Sequence, residues 1–328
     1  MNKYTNISSC SPLLAPWLVH DDYDHNPDPY TISVTTLLKP IKMIILGSRV
    51  GEQSYQEPVD VFSKVPSKVG SAVHDSVEHL WKDSEKLHKA LLSINTPQPI
   101  IDAIKVNPDP STVTEDDIPV YLEQRVEKQV GRWKVSGKFD AIFNGSVRDI
   151  KTTGTYTYTN KTNDDDYIKQ GSCYRWLNPK IVTDDIMYID YLFKDWKPSE
   201  LRNPNYPRSA HVPKSFQLEP YQVTDNWIKA KLAKLETLWD SLEEALPQCS
   251  TEDLWQGDST WKYYAKGYTE GSRATKVFTH PSDAFAHKAA QGKGEVREVK
   301  GTIKRCKYCP ALPLCQQGKN YFAQGLIK

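Results

Sequence analysis

Two aspartates and a lysine flank one tight turn. The segment reads Gly137-Lys138-Phe139-Asp140-Ala141-Ile142-Phe143-Asn144-Gly145-Ser146-Val147-Arg148-Asp149-Ile150-Lys151. Asn144-Gly145 suits a two-residue type I′ turn, because both central residues of that turn need positive φ. Counting back from the turn, Phe143 faces Ser146, Ile142 faces Val147, Ala141 faces Arg148 and Asp140 faces Asp149. Side chains opposed in this way stand about 4.5–5.5 Å apart, so the two carboxylates repel. Lys151 leaves its strand on the same face as Asp149. A hard divalent cation relieves the repulsion, since Mg²⁺ takes oxygen ligands and keeps several waters. A bound ion acidifies one of those waters and neutralises charge on a phosphodiester. The Lys151 ammonium then serves as a point charge for the phosphate or the attacking water. The bland reading is a hairpin whose charges face water, but Ile142 and Val147 share the charged face. Phe139, Ala141, Phe143 and Ile150 make the expected core side.

Two further pieces sit on expected helices. His74, in Gly70-Ser-Ala-Val-His74, lies among apolar residues and offers an imidazole, a common metal ligand. Gln170 and Tyr174 stand at i and i+4 and share a helix face. Their amide and phenol suit phosphate or base contacts, or the bracing of the hairpin.

Six cysteines occur, at positions 10, 173, 249, 306, 309 and 315. The last three form C-x2-C-x5-C, a spacing that bites one metal or one corner of a cluster. Cys173 lies inside the Gln170–Tyr174 helix and reads as packing.

These residues need a scaffold of both helices and strands. Residues 1–30 lack periodicity and read as an irregular N-terminal arm. Residues 31–40 begin β-branched and turn helical. Apolar residues at Val69, Val73, Val77, Leu80 and Trp81 predict a helix within 66–92. The proline-bearing stretch 94–118 reads as a surface connection. Strands follow to Lys151, with one strand expected over 138–143 and its partner over 146–151. A polar loop is expected over 153–166, a helix over 167–177, and a central strand over 186–193. The apolar spacing from Val223 to Leu242 predicts a long helix over 220–245. A strand–helix–strand pattern over 274–299 precedes the cysteines. The division is therefore 1–30, a core over 31–245 and a cysteine module over 246–328.

The four motifs, in this order, resemble the RecB-like branch of the PD-(D/E)XK nuclease superfamily. That branch includes helicase-linked exonucleases, CRISPR-adaptation nucleases, a mitochondrial single-strand exonuclease and many bacteriophage exonucleases. Its pattern is G-x3-H, G-x2-D, D/E-x-K and Q-x3-Y, read here as Gly70 to His74, Gly137 to Asp140, Asp149 to Lys151 and Gln170 to Tyr174. The resemblance implies an α/β restriction-endonuclease-like core, a mixed sheet flanked by helices, with the hairpin at its catalytic edge. It implies His74, Asp140, Asp149 and the Ile150 carbonyl as ligands of Mg²⁺ or Mn²⁺, Lys151 as the catalytic lysine, and Gln170 and Tyr174 as DNA-contacting or bracing groups. The cysteine spacing is similar to that of the family's iron–sulfur module, in which a distant upstream cysteine completes four ligands. This chain departs there, because Lys39 occupies the expected position. Cys249 is preferred to Cys10 as the fourth ligand beside Cys306, Cys309 and Cys315, and either Zn²⁺ or [4Fe–4S] suits four thiolates.

The implied activity is that of an exodeoxyribonuclease on single-stranded DNA or DNA ends, in replication, recombination or repair, with a partner protein from those processes. The alternative is a non-catalytic DNA-binding accessory protein with a structural metal. A formal charge of +1 excludes a uniformly basic binder, though not a local basic groove such as Arg297 to Lys307. Trp255, Trp261, Tyr263 and Tyr264 read as a small aromatic core, the alternative being that they stack on a single strand guided by those basic residues. No run approaches the roughly 20 apolar residues of a membrane helix. The N-terminus lacks a secretory pattern, so the expected location is the cytoplasm of a bacterium or a phage-infected host.

Overall fold

The computed structural model describes residues 4–20, 28–50 and 58–327. In chain order the elements are β1 (Tyr4–Thr5), α1 (Leu14–Val19), β2 (Thr31–Ser33), α2 (Val34–Leu37), α3 (Ile41–Arg49), β3 (Val59–Asp60), α4 (Val65–Lys82), α5 (Ser84–Ser93), α6 (Gln98–Ala103) and β4 (Ile104–Val106). Then come β5 (Ile118–Leu122), β6 (Arg125–Val130), β7 (Trp133–Lys138), β8 (Ala141–Phe143), β9 (Ser146–Thr153), α7 (Thr155–Asn160), α8 (Asp164–Leu177), β10 (Ile186–Phe193), β11 (His211–Gln217) and α9 (Tyr221–Leu238). The remainder holds β12 (Thr260–Tyr264), β13 (Lys276–Phe278), α10 (Pro281–Gln291), β14 (Glu295–Val299) and α11 (Gln316–Ala323). Among the described residues, no helix is long and apolar enough to cross a membrane.

Two compact units result. Residues 4–38 and 58–233 form one; residues 39–50 and 234–327 form the other. The expected division put 39–50 and 234–245 with the nuclease core. Side-chain pairing gives the reason for the difference. Lys42 of α3 is buried and its ammonium meets Glu243 at 2.6 Å, while Arg49 donates to the Ser241 carbonyl at 2.8 Å.

The first unit is mixed α/β. Its six-stranded sheet runs β11-β10-β9-β8-β5-β4, with β10 parallel to β9 and β4 parallel to β5, the other pairs being antiparallel. A three-stranded sheet runs β2-β7-β6. The β8–β9 turn forms as its residues require, with φ of 45° at Asn144 and 87° at Gly145. Its register is Phe143 to Ser146, Ile142 to Val147 and Ala141 to Arg148. The hairpin therefore lies inside the sheet and not at its edge.

The expected strand over 138–143 is broken. β7 pairs with β6 as far as Lys138–Arg125, and β8 pairs with β5 from Ala141–Leu122. Between them the two chains turn the corner from one sheet to the other, held by Glu123 N–H donating to the Asp140 carbonyl at 3.0 Å. Glu123 takes a φ of 51°, the left-handed region that disfavours a side chain with a Cβ. The charged face is also the more buried one. Ile142, Val147 and Asp149 are buried, whereas Ala141, Phe143 and Ile150 are only half-buried and Phe139 alone of the expected core side is buried.

Other expectations shift for local reasons. The helix expected over 66–92 divides into α4 and α5 because Asp83, at extended ψ, caps α5 by accepting from the Lys86 N–H. The 94–118 connection contains α6 and β4, with Ile101 buried. The polar loop contains α7, and the long helix stops at Leu238. The arm contains β1, paired with β3, and α1; its residues 1–3 and 21–27 lie outside the described residues.

Candidate active site

The cleft forms where β8 ends. β9 continues past Arg148 with β10 on one side, but β8 has no residue left to pair on the other. Buried backbone groups need partners, and here side chains supply them. Ile150 N–H donates to Asp140 Oδ2 at 3.0 Å, and the Ile150 carbonyl accepts from His74 Nε2 at 3.0 Å. Asp140 reaches the N–H from the sheet corner, and His74 reaches the carbonyl from α4. Together they border a cleft of about 510 Å³ that Glu123, Asp149, Lys151, Gln170 and Tyr174 also line.

His74 Nδ1 faces Asp140 Oδ2 at 3.2 Å and Glu123 Oε1 at 3.9 Å. Both ring nitrogens thus face acceptors, and only the imidazolium satisfies both at once. The hydrogen bonds to Asp140 and then Glu123 outweigh burial and push the His74 pKa up to about 10. Burial alone would raise the Asp140 and Glu123 carboxyls. The His74 contact in both, with Lys151 and the Ile150 N–H at Asp140 and Lys138 at Glu123, leaves them below their usual range. Lys138 pairs with Glu123 at 2.6 Å. Among the described residues, His74, Glu123 and Asp140 are the group that brings three ligand atoms within 4.8 Å of one another. One imidazole and two carboxylates suit a small divalent ion.

Asp149 stands beside this group, with its carboxylate turned to Lys151 and to Gln170 Nε2 at 3.5 Å. It is 2% exposed, and burial pushes its pKa up to about 6 against the opposing pull of Lys151. Lys151 would lose its proton more easily through burial, but Asp149 and Asp140 reverse that and hold it charged. Gln170 also donates to the Tyr174 hydroxyl at 2.9 Å, which fixes the amide that faces Asp149. Gly137 makes room for this brace, since a Cβ there would stand 2.5 Å from Leu177 Cδ1 and 3.3 Å from Tyr174 Cδ1.

All seven positions expected at this site, His74, Asp140, Asp149, Ile150, Lys151, Gln170 and Tyr174, therefore border one cleft. Glu123 was missed. Its signal was faint: the β5–β8 register, extended one step past Leu122–Ala141, sets Glu123 opposite Asp140. Glu127, the other acidic residue near the hairpin, pairs with Lys134 at 3.1 Å.

The second unit gathers Cys249, Cys306, Cys309 and Cys315. Cys306 lies in an apolar cluster with Leu254, Ile303 and Ile327, against which Cys249 packs. Gln317 clamps Cys249, accepting from its N–H and donating to its carbonyl, both at 2.9 Å. Burial, then Asp253 and the other three thiols, push Cys249 up to about 12; burial and then Cys309 and Cys315 push Cys306 up to about 11. No three of these sulfurs lie within 4.8 Å of one another among the described residues. Lys39 also senses this group: burial and then Arg305 lower its pKa, and Cys309 opposes them. Cys10 belongs to the first unit. Cys173 is buried in α8, where burial pushes it up to about 12. In the tail, Tyr263 and Tyr264 are buried, and the Arg305 guanidinium covers Trp255 at 4.7 Å.

No family model and no curated protein matches this chain. Among solved structures, one described as SSO0001 is 16% identical over 72% of this chain and 88% of its own, with a TM-score of 0.40. A phage-related exonuclease from Haemophilus somnus 129PT is 15% identical over 36% of this chain and 58% of its own, with a TM-score of 0.25. Overlaps this loose assign neither fold nor activity.

Proposed function

We propose that this chain is a metal-dependent deoxyribonuclease of the RecB-like PD-(D/E)XK type, acting on single strands or DNA ends. The observation that carries this reading is the convergence of His74, Glu123 and Asp140 beside the Asp149–Lys151 pair in one cleft. His74 Nδ1 and the Asp140 and Glu123 carboxylates would hold Mg²⁺ or Mn²⁺; of the other two expected ligands, Asp149 faces Lys151 and the Ile150 carbonyl faces His74 Nε2. A divalent ion bound there supplies an acidified water and charge neutralisation at a phosphodiester. Asp149 holds the Lys151 ammonium in place, and Lys151 presents it to the substrate phosphate as a point charge. Gln170 and Tyr174 lock the Asp149 carboxylate from behind. His74 keeps its Nε2–H on the Ile150 carbonyl, which fixes the ring while Nδ1 is freed of its proton.

Cys249, Cys306, Cys309 and Cys315 would hold Zn²⁺ or [4Fe–4S] in the second unit. The fit is chemical, since Cys306, Cys309 and Cys315 raise the cost of ionising Cys249, and Cys309 and Cys315 that of Cys306, which a cation relieves. The biological setting consistent with this activity is recombination, replication or repair in a bacterial or phage-infected cell.

The test is digestion of end-labelled single- and double-stranded DNA with Mg²⁺ or Mn²⁺, and with EDTA, beside Asp149→Ala and Lys151→Ala. Metal-dependent degradation lost in both variants supports the reading, and the product ladder gives the polarity. Folded, metal-loaded protein that binds DNA but cuts neither DNA nor RNA replaces it with the accessory-protein reading.

A further inference from the structure

A second cavity of about 750 Å³ opens on the same side of α4 as the candidate active site. α4 itself sets the relation between the two. Ser67 and His74 line the first cleft, and Trp81 lines the second. These three lie seven residues apart, so they form one stripe that drifts only about 20° per step. From His74 to Trp81 the helix rises about 10 Å. That span is about three nucleotides of a stacked strand at roughly 3.4 Å each.

The lining has the makeup of a site for an aromatic, hydrogen-bonding ring. Leu87 of α5 and Ile104 of β4 give it an apolar floor, and the half-buried Trp81 ring, held edge-on by Phe143 at 6.1 Å, forms one wall. Two polar groups face it without a partner. Neither the Trp81 indole N–H nor the His88 imidazole makes a hydrogen bond among the described residues. Lys105 sits at the rim, its ammonium fixed by the Asp102 carbonyl at 2.9 Å and by Asp117 at 3.7 Å. A purely apolar ligand would leave the His88 imidazole nitrogens unsatisfied. A free phosphate would waste the apolar floor. A nucleobase uses both, and its flanking phosphate lies within the field of the rim lysine.

We propose that this cavity is a base-binding subsite. It takes one nucleobase of the single strand, about three nucleotides from the phosphate in the active-site cleft, stacked on Trp81 with its polar edge toward His88. The proposal rests on the nuclease reading and adds to it a fixed point that sets the register of the strand.

The experiment is an abasic scan. The shortest fluorescein-labelled single strand that binds, which holds one register, is titrated into Lys151→Ala protein in EDTA, with one nucleotide at a time replaced by an abasic residue. One position should lose affinity by roughly 5- to 150-fold, the range of a single base–aromatic stack. The same position should become indifferent in Trp81→Leu and in His88→Ala, each checked for native circular dichroism; His88 is half-exposed, so its variant folds even where the Trp81 variant does not. A flat scan, or a sensitive position that persists in both variants, overturns the subsite. If the wild-type protein still cuts DNA with Mn²⁺ in that case, the subsite alone has failed. If the protein neither binds nor cuts DNA, the nuclease reading has failed and the subsite with it.

Discussion

Metal binding at the candidate active site should release a proton, and its affinity should climb with pH. The reasoning starts at His74, whose two ring nitrogens face the Ile150 carbonyl and the Asp140 carboxylate. Its pKa in the metal-free protein is about 10. At pH 7 the ring is therefore an imidazolium, and a cation that takes Nδ1 must displace that proton. The gap of about 3 units costs about 4 kcal/mol at roughly 1.36 kcal/mol per unit. Affinity at pH 7 should thus be about 1000-fold below that of the same site with neutral His74, recovering about tenfold per pH unit up to about 9. Below pH 6 the slope should steepen as Asp149 takes up its own proton.

Calorimetric titration of Mn²⁺ into the protein measures this directly, in two buffers of matched pH and different ionisation enthalpy. About one proton should leave per ion at pH 7. In His74→Gln the release should vanish and the pH profile should flatten. An affinity that stays level from pH 6.5 to 8.5 with no proton released would refute the account of the histidine, and with it the placement of the cation among these three side chains.

Four further outcomes are expected. Glu123→Gln should weaken Mn²⁺ binding at least tenfold while Glu127→Gln leaves it unchanged, as read by the same titration. Lys151→Ala should abolish cleavage and lower stability by about 3 kcal/mol, the low end for a broken buried pair because Lys151 is 28% exposed. Asp149 already has a raised pKa, so its folded form gains stability below the usual carboxylate range and loses it as pH rises through about 6; urea denaturation should therefore show a larger deficit for this variant at pH 8 than at pH 5. Gly137→Ala should cost about 1–3 kcal/mol by overpacking, since its Cβ would stand 2.5 Å from Leu177 Cδ1, and an unchanged melting temperature would contradict that. Cys249→Ala should lose bound iron or zinc by elemental analysis, whereas Cys10→Ala should retain it.

The turn and its register were legible because they depend on local chemistry. Asn144 and Gly145 adopt positive φ, and a two-residue loop leaves one pairing for the residues beside it. The α4 stripe was legible for the same kind of reason, since its apolar spacing is helical. The corner was not. Residues 133–143 read as continuous extended chain, and nothing in Phe139-Asp140 announces a bend. The bend comes from two sheets that share these strands, which is a long-range fact. Glu123 was hidden for the same cause, because its role depends on the corner. The break at Asp83 was readable in principle, as Asp83-Ser84-Glu85 is an N-cap followed by an acidic first turn. The assignment of α3 to the second unit was not, because it rests on Lys42 finding Glu243 some 200 residues away.

The interior position of the hairpin changes how the site is understood. An edge strand would expose its unpaired backbone to water, and side chains could approach it or not. β9 lies between β8 and β10, and over 149–153 it lacks only the strand that β8 is too short to provide. A gap in the middle of a sheet leaves amides that must be satisfied from within the protein. Asp140 and His74 do this at one residue, Ile150. The same two hydrogen bonds set the direction of both side chains and bring them to Glu123. Satisfying the backbone and aiming the ligands are therefore one structural act. The shortness of β8 follows from the corner at Phe139-Asp140, so the corner is the feature on which the candidate site depends.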